Sequence, residues 1–265
     1  MYFIGCDLGS TTGKVVILDD QKKILAHSIV RSSHGPQKTM EHAMEEALKT
    51  LAPDLAKAVR ENNHVVSTGY GRSNVEGIND EVSEISCHAK GACHLNPNIR
   101  TIIDIGGQDC KVISVDETGR VLEFQMNDKC SAGTGRFFEV MARVLDVSLD
   151  EMAAEALKSN SPRQISKQCS VFAESEVISL INNNVPMPDI AAGIHESIAR
   201  RIHGMAFKVG IEEEVALTGG CANNQALRKA MMKRLHLPLA ELSQDPQLMG
   251  ALGAALYAWE ASQEK

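Results

Sequence analysis

The sequence is poor in the features that identify several large classes of protein. Aromatic residues make up 4% of the chain, with one tryptophan, so a surface that stacks the bases of single-stranded nucleic acid is not expected. Basic residues form no long run and the net charge is −7, which argues against a nucleic-acid backbone as partner. No apolar stretch reaches the roughly 20 residues that span a bilayer. We therefore predict neither a nucleic-acid-binding protein nor a membrane protein.

Cysteine is present, but without the spacing that binds a metal within one chain. The seven cysteines include no CxxC pair, and no histidines follow the HExxH spacing. This pattern argues against a disulfide framework, a zinc ribbon and a self-contained ferredoxin domain. The first residues lack the basic region and cleavage site of a signal peptide. We therefore expect a cytoplasmic protein with reduced thiols.

The Walker A and GxGxxG motifs are also missing, so neither a P-loop nor a Rossmann site is predicted. The sequence instead contains an internal repeat, in which residues 7–25 align without gaps with residues 104–122. The aligned positions, 97 residues apart, share identical residues: Asp7 with Asp104, Gly9 with Gly106, Lys14 with Lys111, Val15 with Val112, and Asp19 with Asp116. An offset of this length indicates a duplicated domain rather than a solenoid.

Each copy of the repeat has the pattern strand, glycine turn, strand, polar turn, strand, followed by helices. The predicted strands are 2–7, 14–18, 24–30, 101–104, 110–115, 121–125 and 215–217. The predicted helices are 36–61 with an interruption at Pro53, 137–145, 172–181, 190–209, 223–235 and 249–261. We predict an α/β fold with two lobes, 1–97 and 98–245, and a helix in 246–265 that returns to the first lobe.

Three glycine turns follow predicted strands: DLGST from Asp7, DIGGQ from Asp104, and TGG from Thr218. Glycine allows a phosphate to approach backbone N–H groups closely, and an acid before such a turn can hold magnesium through water. Candidate phosphate ligands in the first turn are Ser10, Thr11, Thr12 and Lys14. Any one turn alone is ordinary turn chemistry. Three at matching places of a duplicated fold predict a nucleotide site in a crevice between the lobes.

Two cysteines lie in polar loops just before predicted helices. Cys130 is followed by SAGTGRFF, and Cys169 by SVF. The positive end of a helix favours a thiolate and an anionic ligand, and Lys129 and Lys167 are nearby. A [4Fe–4S] cluster takes four thiolates, which a symmetric dimer could supply. From the residues alone, two unrelated half-buried thiols remain the simpler interpretation.

The glycine turns resemble the two phosphate segments and the adenosine segment of the actin, Hsp70 and sugar-kinase superfamily. This resemblance implies an actin-like ATPase fold with two RNase H-like lobes, a nucleotide cleft, ATP or ADP, and Mg²⁺. It also implies which residues act. The implied catalytic and metal-organising residues are Asp7, Asp104, Gln108 and Asp109. The implied nucleotide ligands, beyond the hydroxyls and lysine above, are Gly9, Gly106, Gly107, Gly133, Gly135, Gly219, Gly220 and Asn224.

A more specific resemblance covers nearly the whole chain. The strings FQMNDKCSAGTGRFFEVMARVLDV, QCSVFAESEVISL, STGYGR, IDIGGQD, AGIHESIARRI and TGGCANN resemble the activators of 2-hydroxyacyl-CoA dehydratases and the ATPase subunits of benzoyl-CoA reductase. The resemblance implies that Cys130 and Cys169 of two subunits hold one [4Fe–4S] cluster. It also implies an anaerobic, ATP-driven electron donor. The implied partners are a ferredoxin or flavodoxin as donor and, as acceptor, a dehydratase or related double-cubane iron–sulfur protein.

Several points stay open at this level. Gln108, Asp109 or Glu174 could orient the hydrolytic water. Of the remaining cysteines, Cys6 and Cys110 are expected to pack in strands. Cys87 and Cys93 are expected to lie on a helix, and Cys221 to line the adenosine pocket. Two other functions are possible within the superfamily. One is a small-molecule kinase, for which the chain is short, and the other is a filament-forming or chaperone-like protein.

Overall fold

The computed structural model describes residues 1–167 and 169–263; Gln168 and positions 264 and 265, which end the predicted C-terminal segment, lie outside them. The strands are β1 Tyr2–Leu8, β2 Thr12–Leu18, β3 Ile24–Arg31, β4 Asn63–Thr68, β5 Asp80–Glu81, β6 Thr101–Ile105, β7 Cys110–Val115, β8 Val121–Asn127 and β9 Val215–Thr218. The helices are α1 Pro36–Lys49, α2 Pro53–Glu61, α3 Glu84–Leu95, α4 Gly135–Val144, α5 Leu149–Lys158, α6 Ser170–Asn182, α7 Met187–Val209, α8 Gln225–Leu235 and α9 Met249–Gln263.

The chain divides into two compact units. The first contains Met1–Asn98, Val115–Val121 and the segment from Leu242 onward, and the second contains Ile99–Ser114 and Leu122–Glu241. The sheet of the first unit has the strand order β3-β2-β1-β4-β5. β1 pairs antiparallel with β2 and parallel with β4, and it is buried along almost its whole length. Because side chains on both faces of β1 are buried, its sequence is a nearly continuous apolar run and does not alternate between apolar and polar residues.

The second unit repeats this arrangement with the strand order β8-β7-β6-β9. β6 pairs antiparallel with β7 and parallel with β9, and all five of its residues are buried. Its core lies between this sheet and helices α4–α8, and it includes Phe137, Met141, Ile194 and Leu227. The duplication predicted from the 97-residue offset is therefore seen in the order and direction of the strands.

Helix α9 packs against β1 and α3 of the first unit with almost no space between the backbones. A Cβ atom added to Gly5 in β1 would lie 1.9 Å from the carbonyl oxygen of Ala251 in α9. A Cβ added to Gly253 in α9 would lie 1.8 Å from the carbonyl oxygen of Cys87 in α3. These glycines are needed because only hydrogen fits where the main chains meet.

The predicted elements agree with the structure in type, with some omissions. The break at Pro53 is confirmed, because α1 ends at Lys49 and α2 begins at Pro53. β4, β5 and α5 were not predicted, although β4 lies inside the first sheet. In the part of the chain described here, no helix has both the length and the apolar character that crossing a bilayer needs.

Candidate functional site

The first glycine turn connects β1 to β2. Asp7, at the end of β1, lies directly opposite Lys14 in β2, and the Lys14 Nζ is 3.1 Å from the Asp7 Oδ2. The Gly9 N–H donates to the carbonyl of Thr12 at 3.1 Å, which closes the turn. The ammonium of Lys14, predicted as a phosphate ligand, is therefore held at a mostly buried carboxylate.

The second glycine turn repeats this geometry between β6 and β7. Asp104 lies opposite Lys111, and the Lys111 Nζ is 3.2 Å from the Asp104 Oδ2 and 2.5 Å from the Asp109 Oδ2. The Gly106 N–H donates to the Asp109 carbonyl at 3.0 Å. One buried ammonium is thus shared by two carboxylates, which gives the turn a net negative charge. Carboxylate oxygens suit Mg²⁺, which binds through them and retained waters.

The repeat extends further than the sequence alignment reached. Thr68 ends β4 and pairs with Asp7, Thr218 ends β9 and pairs with Asp104, and each threonine is followed by a glycine. Both glycines have positive φ, +86° and +82°, and an added Cβ would lie 2.7 Å from the Asp7 Oδ1 or 2.8 Å from the Asp104 Oδ1. In the second unit, the Thr218 hydroxyl also donates to the Asp104 Oδ1 at 2.9 Å. Each acid is therefore seated against a Thr-Gly pair that leaves no room for a side chain.

Lys111 and the Thr68-Gly69 pair were missed as site residues. Lys111 could have been found, because the 97-residue offset maps it directly onto Lys14. Thr68-Gly69 has no such signal, since its distance from Asp7 along the chain differs from that of Thr218-Gly219 from Asp104. Gln108 is exposed at the tip of the second turn, and its predicted catalytic role stays a prediction.

Helix α4 is attached to the second turn at its start. The Gly135 N–H donates to the Gly106 carbonyl at 2.9 Å, and the Arg136 N–H donates to the Gly107 carbonyl at 2.8 Å. Gly133 has a φ of +88°, and an added Cβ would lie 2.9 Å from the Cδ of Arg201. The predicted nucleotide ligands Gly133 and Gly135 therefore also have structural roles in the segment that leads into α4.

The position of Cys130 corrects the sequence prediction. Cys130 was expected in a loop just before a helix, but α4 begins at Gly135, because residues 131–134 form a separate turn closed by a Thr134-to-Ser131 hydrogen bond. Cys130 thus precedes the helix by five residues. The Asn127 side-chain amide holds this loop by donating to the Cys130 carbonyl at 2.7 Å. Cys169, by contrast, directly precedes α6 as its N-cap residue.

The loops that carry the two cysteines are joined to each other. The Ser131 and Ser170 hydroxyls, each one residue after a cysteine, are 2.9 Å apart. Cys130 is half-buried and Cys169 is exposed. Within residues 1–167 and 169–263, no group of three or more His, Cys, Asp or Glu side chains is placed to hold a metal. The chain therefore joins two loops that each carry one thiol, and two thiols are half the number that a [4Fe–4S] cluster takes.

Four of the other cysteines are in environments that suppress the thiolate. Burial raises the pKa of Cys6, Cys87 and Cys221 to about 12, and that of Cys110 to about 11. Cys6 and Cys110 lie buried in strands and Cys87 is buried on α3, as predicted. The thiolate is the form that binds a metal, so burial disfavours a ligand role for these four, and the place of Cys221 at an adenosine pocket stays a prediction.

The family is decided by comparison with known proteins. The sequence model described as the BadF/BadG/BcrA/BcrD ATPase family matches residues 4–258. The chain belongs to this ATPase family. The match spans both units, so both glycine turns and both cysteine loops are part of it.

Relatives within this family are similar over their full length. The chain is 47% identical to an activator of lactoyl-CoA dehydratase from Anaerotignum propionicum, over 100% of each chain. The solved structure of (R)-2-hydroxyglutaryl-CoA dehydratase component A from Acidaminococcus fermentans has a TM-score of 0.92 at 44% identity, covering 99% of each chain. That of the activator of 2-hydroxyisocaproyl-CoA dehydratase from Clostridium difficile, with bound ADPNP, has a TM-score of 0.90 at 42% identity, covering 100% of this chain and 96% of that one. The predicted actin-like ATPase fold is thereby confirmed.

Asn224, a predicted nucleotide ligand of this family member, has two structural contacts. Its Oδ1 accepts the Leu227 N–H at 3.0 Å and so caps α8, and its Nδ2 lies 3.1 Å from the His195 Nε2. The His195 Nδ1 lies 2.7 Å from the Ala191 carbonyl. Because a carbonyl can only accept, Nδ1 carries the proton and Nε2 accepts from the amide. This pattern fits a neutral ring, and burial lowers the pKa of His195 to about 4.

We expect His195 to make stability depend on pH between about 6.5 and 4. In this window the unfolded state binds a proton that the folded state does not, so the unfolding free energy falls as the pH is lowered, by up to about 1.4 kcal/mol per pH unit. Urea unfolding of the parent and His195→Gln from pH 8 to pH 4.5 tests this. The difference between their unfolding free energies at pH 8 is the baseline. If the unfolding free energies of both proteins change equally with pH below 6.5, the prediction is wrong.

Proposed function

We propose that this ATPase is an ATP-dependent one-electron donor in which two copies of the chain hold one [4Fe–4S] cluster through Cys130 and Cys169. The observation that carries the proposal is the Ser131–Ser170 contact, which brings the two cysteine loops together. Each chain offers two of the four thiolates that a [4Fe–4S] cluster takes, and a symmetric pair of chains offers all four. When bound, such a cluster accepts and passes on single electrons.

The surface beside the cysteines supports pairing of two copies. Val171 and Phe172 directly follow Cys169 and are 65% and 64% exposed, and Ile178 and Ile181 on the same helix are also exposed. Large apolar side chains grouped in this way mark an interaction site. A second copy of the chain is the proposed occupant, because it would cover these side chains and supply the two missing thiols in the same contact.

The nucleotide is proposed to bind at the two glycine turns. Backbone N–H groups and the hydroxyls of Ser10, Thr11 and Thr12 would receive the phosphates. Asp7 and Asp104 would hold Mg²⁺ through water, and the exposed Gln108 would orient the attacking water. The ADPNP bound to the relative from Clostridium difficile supports the binding of a nucleotide by this chain. ATP and water then give ADP and phosphate.

A short chain of hydrogen bonds supports coupling between the nucleotide turn and the cysteine loops. The carbonyls of Gly106 and Gly107 accept the N–H groups of Gly135 and Arg136, Thr134 bonds to Ser131, and Ser131 contacts Ser170. A shift of the second turn when phosphate is lost would therefore reach the residues beside both cysteines. Such rearrangements accompany nucleotide hydrolysis in other switch proteins.

The names of the relatives support a dehydratase as the partner. Their names describe activators of dehydratases that act on 2-hydroxyacyl-CoA compounds. We infer that this chain passes its electron to an iron–sulfur enzyme of that class and receives it from a low-potential ferredoxin or flavodoxin. One electron would enter from the donor and one would leave to the acceptor, and ATP hydrolysis would accompany the transfer to the acceptor.

The experiment is anaerobic purification followed by iron and sulfide analysis. The parent is expected to contain about four iron atoms per two chains, and Cys130→Ser and Cys169→Ser to contain almost none. Both variants should still bind ADP, since the glycine turns are unchanged. Cys93→Ser, the same substitution in the other unit, should keep its iron. Full iron in either loop variant would refute the cluster assignment.

A further inference from the structure

The first unit contains a cavity that the proposed function does not use. Its volume is about 480 Å³, and its walls are the β2–β3 turn, α3, the β7–β8 turn and the last half of α9. The β2–β3 turn lies at the opposite end of β1 from the glycine turn that begins at Gly9. Seven strand residues separate these ends by roughly 20 Å. The cavity is therefore separate from the nucleotide-binding turn of this unit.

Positive charge is concentrated in this cavity although the whole chain carries −7. The charged residues in its lining are Lys22, Lys90, Arg120 and Glu260. Lys90 and Glu260 are paired, with the Nζ 2.7 Å from the Oε1. Three cations and one carboxylate leave the lining with a charge of 3 − 1 = +2. A net positive cavity in an acidic protein favours an anionic ligand.

The two lysines are held in place by aromatic rings. The Lys22 Nζ is 3.9 Å from the centre of the Trp259 ring, and the Lys90 Nζ is 4.4 Å from that of Tyr257. The Trp259 Nε1 donates to the carbonyl of Asp20 in the β2–β3 turn at 2.8 Å, which fixes the ring. Cation–π contacts of this kind orient an ammonium group. Less conformational entropy is then lost when the lysines bind a ligand.

The other polar groups of the lining can donate hydrogen bonds. Ser86 and Thr118 contribute hydroxyls. Burial and the charges of Lys22 and Lys90 lower the pKa of His94, so its ring is neutral at pH 7 and can donate one N–H. The cavity thus combines ammonium, guanidinium, hydroxyl and imidazole donors, the set that binds phosphate oxygens.

We propose that this cavity binds a phosphate-bearing small molecule through Lys22, Lys90 and Arg120. A phosphate ester carries about −1.5 to −2 charge at pH 7, which balances the +2 charge of the lining. A single carboxylate would balance half of that charge. The volume is larger than one phosphate needs and lies in the range typical of small-molecule sites, so the ligand has a body beyond its phosphate.

The fluorescence of Trp259, the single tryptophan of the chain, provides a direct test, because the Lys22 ammonium contacts its ring. The anaerobically purified dimer, saturated with ADP to occupy the glycine turns, is titrated with inorganic pyrophosphate while Trp259 fluorescence is recorded. Calorimetry under the same conditions measures binding independently. We expect a saturable fluorescence change together with measurable heat. The absence of saturable binding by both methods would overturn the proposal.

Matched variants and a second anion sharpen this test. The double variant Lys90→Gln/Arg120→Gln should bind pyrophosphate about tenfold more weakly or worse, as expected for lost charge-assisted hydrogen bonds. Lys23→Gln, next to Lys22 but outside the lining, should bind like the parent. All variants should bind ADP as the parent does. Parent-like pyrophosphate binding by the double variant, or tighter binding of citrate than of pyrophosphate, would refute the phosphate site.

Discussion

Replacing Lys111 with methionine is expected to destabilise the protein by roughly 3–5 kcal/mol, because it leaves two carboxylates near each other without their shared cation. The Lys111 side chain is 2% exposed, and its Nζ contacts both Asp104 and Asp109. Methionine fills a similar volume, so the effect reports the lost charge rather than a cavity. Urea unfolding followed by circular dichroism at pH 7.5 measures it.

Two comparisons isolate the electrostatic cause. Lys57→Met removes an exposed pair, in which the Nζ lies 3.8 Å from Glu61, and should change stability by less than about 0.5 kcal/mol. Asp109→Asn added to Lys111→Met should recover part of the loss, since it removes one of the two stranded charges. If Lys111→Met proves as mild as Lys57→Met, the shared ammonium does not stabilise the second turn.

Gly253→Ala is expected to destabilise the first unit by about 1–3 kcal/mol or more, the range of overpacked cores. The new methyl group would lie 1.8 Å from the Cys87 carbonyl oxygen and 2.5 Å from its carbonyl carbon. Both are main-chain atoms, so relief requires α3 and α9 to move apart. Thermal unfolding of the purified protein gives the loss as a lower melting temperature.

The same substitution at Gly204 is the control, and its expected sign is opposite. Gly204 lies within α7, and an added Cβ would meet nothing within 4 Å. Alanine has the higher helix propensity, so Gly204→Ala should stabilise by about 0.5–1 kcal/mol. Equal effects of the two substitutions would show that helix propensity, and not the close packing of α3 on α9, governs Gly253.

The sequence predicted those parts of the fold and site that depend on neighbours along the chain. The strand meanders, the break at Pro53 and the positions of the glycine turns are set by local patterns, and the 97-residue offset revealed the duplication. The alignment of the two repeats also contains the Asp104–Lys111 pair, because both residues lie within the aligned segment. The extent of Lys111 burial, however, depends on how the turn closes over its ammonium.

Contacts between distant segments could not be predicted in the same way. Ser131 and Ser170 are 39 residues apart, and no periodic pattern relates them. Thr68-Gly69 and Thr218-Gly219 occupy equivalent places only because β4 and β9 both pair parallel with a central strand. The separation of Cys130 from α4 was not predicted, because it depends on the Ser131–Thr134 turn and its own hydrogen bonds. Tertiary hydrogen bonds, rather than local propensity, decide these features.

The Ser131–Ser170 contact has a thermodynamic consequence for an assembly that shares a cluster. With both thiols on one joined pair of loops, each chain would act as a bidentate chelator in the proposed dimer, and metal occupancy and self-association would be linked equilibria. By reciprocity, whatever factor association adds to metal affinity, metal adds to association. Oxygen that destroys the cluster would then also weaken the dimer, and oxidative damage would appear as a change in molecular mass.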